Sequence, residues 1–340
     1  MTAADPLSDV LRSVRLRGSV FFHVSCRDEW SAFAPPSQVM GPAVMPGAEH
    51  VIEYHMLIKG EGWVAVDGEP PLRLREGDIV MLPHGDEHVV SSAPGVTPAD
   101  EGDGSWLVRM RDDPKPIPIT YSGGMFEAGQ GLPPGDATAV ILCGFIACDL
   151  KPFNPLIDAL PRLLHLPAEG VGAWVAPMLE HAATETGARR AGSAALLQRV
   201  SKMVFVDGAR RYLDSPPEES QGWLGALRDR QVGRTIALMH GDPAEPWTLE
   251  ELGRRVGLSR SALHERFVAL TGMPPMQYLT NWRMQCGARL LREGHANVAA
   301  VALEVGYDSE AAFARAFKRA TGQPPAAWRK AQGQAAASAG

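Results

Sequence analysis

The sequence predicts an α+β multidomain protein with an N-terminal β-barrel, a helical connector, and a C-terminal all-α module holding two helix-turn-helix units. Three observations predict it. The last third of the chain states one pattern twice, the first 150 residues break into short β-rich runs, and the text between them places apolar residues at helical spacing. With 340 residues and 45 % hydrophobic content, there is ample material for two folded cores.

The β-rich runs are Phe21 to Cys26, Val51 to Ile58, Trp63 to Val66, Leu72 to Leu74, Ile79 to Leu82 and Val140 to Ile146. Asp67-Gly68 and Gly77-Asp78 punctuate them as turns. Many short strands at this spacing make a barrel or a double-sheet roll, expected over 1–150. Thr97 to Gly135, rich in Gly, Pro and Asp, reads as a long insertion. From Pro155 to Tyr212 the pattern turns helical, with Leu156, Leu160, Leu163 and Leu164, then Leu196, Leu197, Val200 and Val204, on stripes. This predicts a helical connector over 151–214, its stripe packed on the barrel core or against a second copy in a homodimer. Ser215 to Gln221, with Pro216 and Pro217, is the linker candidate, and 331–340 is expected to be a disordered tail.

The duplicated text occupies 223–330. Leu252, Gly253 and Gly257 lead to Ser259, Leu263, Phe267, Thr271, Gly272, Pro274 and Pro275; Val301, Ala302 and Gly306 lead to Ser309, Phe313, Phe317, Thr321, Gly322, Pro324 and Pro325. The offset is 49 residues up to the glycine and 50 from the serine onward, so the second copy carries one extra turn residue. Each copy reads as helix, glycine turn, and a second helix closed by Gly and Pro-Pro. Thr248 and Glu251 form a capping box, while Ser259 and Asn297 are placed to cap helices. Leu263 and Phe267 face the core, which turns Arg260, Ser261, His264 and Glu265 outward near the helix start, where recognition helices touch bases. In the second copy Phe313 and Phe317 anchor the core, and Glu310, Ala311, Ala314 and Arg315 face out. Met276 to Arg292 reads as one helix between the units, roughly 25 Å long, a rigid spacer. Such a pair fits two adjacent major-groove segments of double-stranded DNA.

Charge is distributed accordingly. The net charge is -6, yet 223–330 holds 15 Lys+Arg against 10 Asp+Glu, leaving 18 against 29 from the totals of 33 and 39. A basic module on an acidic partner suits a DNA reader whose other domain meets small molecules or protein. Four cysteines (Cys26, Cys143, Cys148, Cys286) form no Cys-x-x-Cys and no secreted framework, no basic and apolar leader opens the chain, and no apolar run reaches membrane length. The expectation is a cytoplasmic protein with no membrane partner.

The segment from Thr248 to Arg329 resembles the AraC/XylS-type transcriptional regulators. It carries Leu-Gly-x-x-x-Gly-Leu-Ser, Thr-Gly-Met-Pro-Pro, Tyr278-Leu279 with Arg283, and Val-Gly-Tyr-Asp-Ser before Phe-x-x-x-Phe-Lys-Arg. The resemblance implies DNA-facing positions at Ser261, His264 and Glu265, and at Ala311, Ala312, Ala314 and Arg315. Glu265 departs from the pattern, since such regulators often place a basic or amide side chain there. A carboxylate accepts from cytosine but is repelled by phosphate.

In the N-terminal part, Gly77, Asp78, Pro83, Gly85 and His88 follow Gly-x5-Pro-x-Gly-x2-His and resemble the second motif of cupin barrels, where the histidine ends a strand and points inward. The first motif is partial: Glu53 precedes Gly60 by seven residues, but Gly47-Ala48-Glu49 stands where His-x-His is expected. Glu53 and His55, two apart on a strand, face one side. His55, His88 and Cys143 offer a His/His/Cys set suited to zinc; the alternative is a buried cysteine beside hydrogen-bonded core histidines. The whole arrangement looks like the ligand-sensing branch of the regulator family, an activator or repressor with a small-molecule or metal effector and RNA polymerase as a further partner. The competing reading is a cupin-class metal-dependent enzyme carrying a DNA-binding module, which needs a fuller ligand set than the first motif offers.

Overall fold

The structure, a computed structural model, describes residues 5–98, 115–122, 125–129, 131–133, 135–169, 174, 175, 177–179, 181, 191–214, 222–294 and 297–337. It divides into two compact units, neither continuous in sequence. One gathers Leu16–Cys148 with Leu160–Arg211; the other gathers Met1–Arg15, Asp149–Ala159 and Tyr212–Gly340. This division differs from the expected 1–150, 151–214 and 223–330: the first fifteen residues and 149–159 fold with the C-terminal helices. The expected linker, 215–221, and most of the insertion lie outside the described residues.

The β-rich unit is built from β1 (Leu16–Cys26), β2 (Ser31–Ala34), β3 (His50–Lys59), β4 (Glu61–Val66), β5 (Leu72–Arg75) and β6 (Ile79–Leu82). It continues with β7 (His88–Ser91), β8 (Ile117–Ser122), β9 (Met125–Ala128), β10 (Ala139–Cys148) and β11 (Leu164–Leu166). All six strand runs expected from the sequence are strands. They form a seven-stranded sheet in the order β11-β6-β3-β10-β1-β8-β9 and a four-stranded sheet in the order β2-β7-β4-β5. Of the two expected forms, a barrel or a double-sheet roll, the strands make the double-sheet arrangement, around one core that includes Phe22, Leu57, Val64, Leu74, Val90 and Phe145.

Strand β3 is buried almost throughout, Glu53 and His55 included, because both of its faces are covered. One face looks into the core; Tyr54, on the other, hydrogen-bonds Ser201 on helix α3 (Ser193–Asp214) at 2.8 Å. Two glycines permit this close packing. A Cβ on Gly144 would lie 2.3 Å from the Tyr54 ring, and one on Gly18 would lie 2.5 Å from Ser201. Leu197, Val200 and Val204 of α3 are buried as expected, whereas Leu196 is exposed. The helical expectation fails between 155 and 166. Here the chain makes a single 3-10 turn at Ile157–Ala159 and then β11, because Leu164 and Leu166 add an edge strand to β6 rather than a helix face.

The helical unit contains α1 (Pro6–Ser13), α4 (Trp223–Arg228), α5 (Arg230–Gly241), α6 (Leu249–Val256), α7 (Arg260–Thr271) and α8 (Pro275–Glu293). It also holds α9 (Val298–Glu304), α10 (Glu310–Thr321) and α11 (Pro325–Ala337). Helix α2 (Ser37–Val44), in the β-rich unit, lies against β3. Helix α11 runs seven residues into the segment 331–340 expected to be disordered. Helix α1 was not anticipated, although its signal is present: Asp5 accepts from the Ser8 N–H at 3.2 Å and Pro6 occupies the first turn.

Helix α8 is the axis of this unit. Gln285, 1 % exposed, donates to the Ser13 carbonyl (3.0 Å) and accepts from the Phe153 N–H (3.1 Å). Arg292 donates to the Ser13 carbonyl and to Asp149, both at 2.6 Å. These bonds tie the two early segments to a helix that lies more than a hundred residues later. Around the same helix Trp223 donates to the Tyr278 hydroxyl (2.7 Å), and His240 stacks on Trp282 with ring centroids 3.7 Å apart.

Candidate DNA-binding surface and sensor cavity

The two copies of the repeat fold alike, bond by bond. Thr248 caps α6 by accepting from the Glu251 N–H (3.1 Å), and Asn297 caps α9 from the Ala300 N–H (2.8 Å). Only half of the expected capping box forms, because the Glu251 carboxylate turns to Arg254 and Arg255, both at 2.7 Å. Those two guanidiniums, Arg254 first, hold its pKa below the ordinary range. Gly257 (φ 76°) and Gly306 (φ 82°) make the left-handed turns. The Leu258 N–H then returns to Gly253 and the Tyr307 N–H to Ala302, each at 2.9 Å, so the extra residue of the second copy is Asp308.

Ser259 and Ser309 cap α7 and α10, accepting from the N–H groups of Ala262 (3.2 Å) and Ala312 (3.3 Å). The repeated Thr-Gly-x-Pro-Pro also has a mechanical reason. The Thr271 hydroxyl donates to Phe267 (2.8 Å) and accepts from the Met273 N–H (3.3 Å); Thr321 does the same with Phe317 (2.9 Å) and Gln323 (3.3 Å). Gly272 and Gly322 then enter the left-handed region, and the second proline starts the next helix.

Leu263, Phe267, Phe313 and Phe317 are fully buried. Arg260, Ser261, His264 and Glu265 are exposed on α7, and Glu310, Ala311 and Arg315 are exposed on α10, with Ala312 and Ala314 half-buried. Two features were not legible beforehand. Arg260 is paired with Glu250 at 3.0 Å, and Arg266 pairs with Asp229 at 2.5 Å. Asp229 also caps α5 through the Gln231 and Val232 N–H groups, so one carboxylate orients α7 against the α4–α5 corner. The Arg266 contact is the main reason its pKa is held down.

In the β-rich unit, Glu53 and His55 of β3 meet His88 of β7, which joins the two sheets' inner faces. His88 opens its strand rather than ending one, since Gly85 (φ 67°) makes the preceding turn. Hydrogen positions follow from the network. The Asp86 carbonyl can only accept, so His88 Nδ1 donates to it (2.9 Å). Neutral His88 then accepts at Nε2 from His55 Nε2 (2.6 Å), and the Cys143 thiol donates to His55 Nδ1 (3.0 Å). Burial drives His55 well below the ordinary histidine range and His88 down to about 4, and it raises the Cys143 thiol, all consistent with neutral groups.

The expected zinc set does not converge. Cys143 lies on the Nδ1 side of His55 and His88 on the Nε2 side, so one ion cannot take all three. The group whose ligand atoms lie within 4.8 Å of one another is Glu53, His55 and His88. That donor set has the chemistry for zinc, but two imidazole nitrogens on one tetrahedral zinc stand about 3.3 Å apart. Here the pair has closed to 2.6 Å around a shared proton, and both histidines have each ring nitrogen occupied by protein. In this structure the two histidines form a hydrogen-bonded pair, with the Glu53 carboxylate as the third donor within 4.8 Å.

Glu53 is the exception. It is 1 % exposed, its Oε1 has no hydrogen-bond partner among the described residues, and Oε2 stays 4.0 Å from His88. Burial raises its pKa well above the carboxylate range. It lines a cavity of about 90 Å³ together with His55, Cys143 and a wall that includes Phe22, Trp30 and Phe145.

Comparison with known proteins agrees with both halves. The Cupin family model matches residues 5–214 and the Helix-turn-helix domain model matches 252–331. A putative AraC-like transcription regulator of Streptomyces lividans is 32 % identical over 96 % of this chain and 98 % of its own length. The HTH-type transcriptional regulator AlkR of Acinetobacter baylyi is 25 % identical over 96 % and 99 %. The C-terminal helices also match the crystal structure of the DNA-binding domain of AdpA in complex with a target DNA, at 33 % identity over 30 % of this chain and 92 % of that one, TM-score 0.29. A cupin half and a paired helix-turn-helix half define a DNA-binding transcription regulator, and the chain belongs to the AraC family of such regulators. No helix among the described residues is long and apolar enough to cross a membrane.

Proposed function

We propose that this regulator reads two adjacent major-groove segments with α7 and α10 and answers to a small molecule received by its β-rich unit. The carrying observation is the duplicated surface: two helices with the same serine cap, aromatic or leucine anchors turned inward, and polar positions turned outward at their starts. On α7 the contacts fall to Arg260, Ser261, His264 and Glu265; on α10 to Glu310, Ala311, Ala312, Ala314 and Arg315. Helix α8, 19 residues or about 28 Å, is the spacer. Binding-site selection from random duplexes, followed by footprinting, tests the reading. One chain protecting a single short segment would refute the two-helix contact.

The reading places the protein in the cytoplasm, with RNA polymerase as a downstream partner and the exposed Leu196 and Met203 of α3 as a homodimer contact. It assigns no catalytic role. An enzyme of the cupin class would need ligands held open for an ion and substrate; the His55–His88 pair is closed on itself, and the full-length relatives are named as regulators.

A further inference from the structure

The reading above leaves the effector's chemistry open, and the cavity beside Glu53 narrows it. About 90 Å³ is somewhat less than the roughly 150 Å³ that accepts benzene. Phe22, Val24, Trp30, Met40, Ile141 and Phe145 supply hydrocarbon walls from both sides. Such a wall rejects ions and strongly hydrated molecules, because their desolvation is not repaid.

The polar part of the lining is small and uneven. His55 and Cys143 face the cavity but are satisfied by each other and by His88. Glu53 is not, since its buried Oε1 has no partner among the described residues. A buried oxygen with no partner has lost its water without a replacement, a cost that a ligand supplying one hydrogen bond recovers on binding. Among the described residues no lysine or arginine lines the cavity to receive an anion.

We propose that the β-rich unit binds a compact, uncharged, mainly hydrocarbon molecule bearing a single hydroxyl or carbonyl, its apolar body against Phe22, Trp30 and Phe145 and its one polar group on Glu53. The inference rests on the reading of this unit as the effector-receiving part. It goes further in excluding sugars, carboxylates and free metal ions as the occupant. Position matters as much as chemistry. An occupant hydrogen-bonded to Glu53 sits beside the Cys143–His55–His88–Asp86 chain of hydrogen bonds, and Asp86 is held outside by Arg162 at 2.9 Å. Occupancy is thereby linked to the turn that opens β7.

Three isosteric probes small enough for this volume test it on the full-length protein: 2-propanol, isobutane and isopropylammonium, which differ only in a hydroxyl, a methyl or a cationic group. At a hundredfold excess over its Kd, 2-propanol is expected to raise Tm by about 5–10 °C. Isobutane should bind about tenfold more weakly, and isopropylammonium should give no shift. Glu53→Leu should erase the alcohol's advantage over the hydrocarbon while retaining both. Ala32→Phe, which fills the cavity from β2, should abolish both. Preference for the ammonium, or no response to any probe, overturns the proposal. So does a Zn²⁺-induced Tm rise that Glu53→Leu and His88→Ala remove. A footprint on the same preparation keeps the two readings apart. Protection without a probe response sinks only the ligand assignment, whereas no selected site sinks the regulator reading.

Discussion

At the scale of single residues, position on a helix separates reading from gripping. Arg315 is exposed near the start of α10, where a guanidinium can reach a guanine edge bidentately. Arg315→Ala is expected to cost about 1–3 kcal/mol of specific binding, concentrated at one base position. Lys318→Ala, one turn further along, should weaken all sequences alike. Competition titrations against single-base operator variants distinguish the two; an equal loss on random and specific DNA for Arg315→Ala would make it a phosphate contact. The buried cluster makes a separate prediction about pH. His88 titrates near 4 when folded and near 6.5 when unfolded, so the unfolded chain takes up its proton first. Its contribution, about 3 kcal/mol, is therefore full above about 6.5 and is lost as pH falls toward 4. Glu53 acts in the opposite sense: its raised pKa means stability falls as pH rises from about 4.5 through the folded value. Glu53→Gln should then melt higher than the parent at pH 8 while keeping the acid-side loss. Parallel melting curves on the alkaline side would show that Glu53 carries no such burden.

At the scale of elements, what was legible followed short-range rules and what was not followed packing. The caps Thr248, Ser259 and Asn297, the glycine turns and the paired aromatic anchors were readable because each depends on neighbours within four or five residues. Removing such a cap should show it. Ser259→Ala or Ser309→Ala is expected to cost about 1 kcal/mol and to lower the melting temperature of the helical unit, with Ser→Asp restoring it. The leucines at 156–164 misled because helical spacing in an apolar stretch also fits a turn followed by an edge strand, and β6 supplied the partner. His55, His88 and Cys143 lie along one chain of hydrogen bonds, but sequence cannot say which ring nitrogen faces which neighbour. That choice removes Cys143 from the histidine pair's meeting point and brings in Glu53. Gln285 and Arg292 were invisible as anchors because their partners, Ser13, Asp149 and Phe153, are remote in the chain. Arg292→Leu leaves Asp149 with only Arg15 at 3.4 Å and should cost about 3 kcal/mol, read as a shift in the urea midpoint.

At the scale of the whole molecule, the fold class was readable because both halves repeat their own signals, strand after strand and unit after unit. The partition of the chain was not readable, since it depends on contacts that cross 130 residues or more. On DNA, the two units joined by α8 should protect segments about one helical turn apart on one face of the duplex, with a spacing insensitive to the β-rich unit. The clasp on α8 has a consequence for how such a chain can be recombined. Leu16 and Cys148 pair across β1 and β10, so the polypeptide leaves the sheet at two neighbouring strand ends, and Arg15 and Asp149 follow at once. A crossover at 215–221 that grafts these C-terminal helices onto another sensor would import a foreign α1 and a foreign 149–159 segment. The Ser13 and Phe153 backbone contacts would survive the graft, being blind to side chains, but Arg292 would meet whatever stands at 149. Chimeras of this protein should therefore be inherited as three matched pieces, with position 149 chosen by the donor of α8.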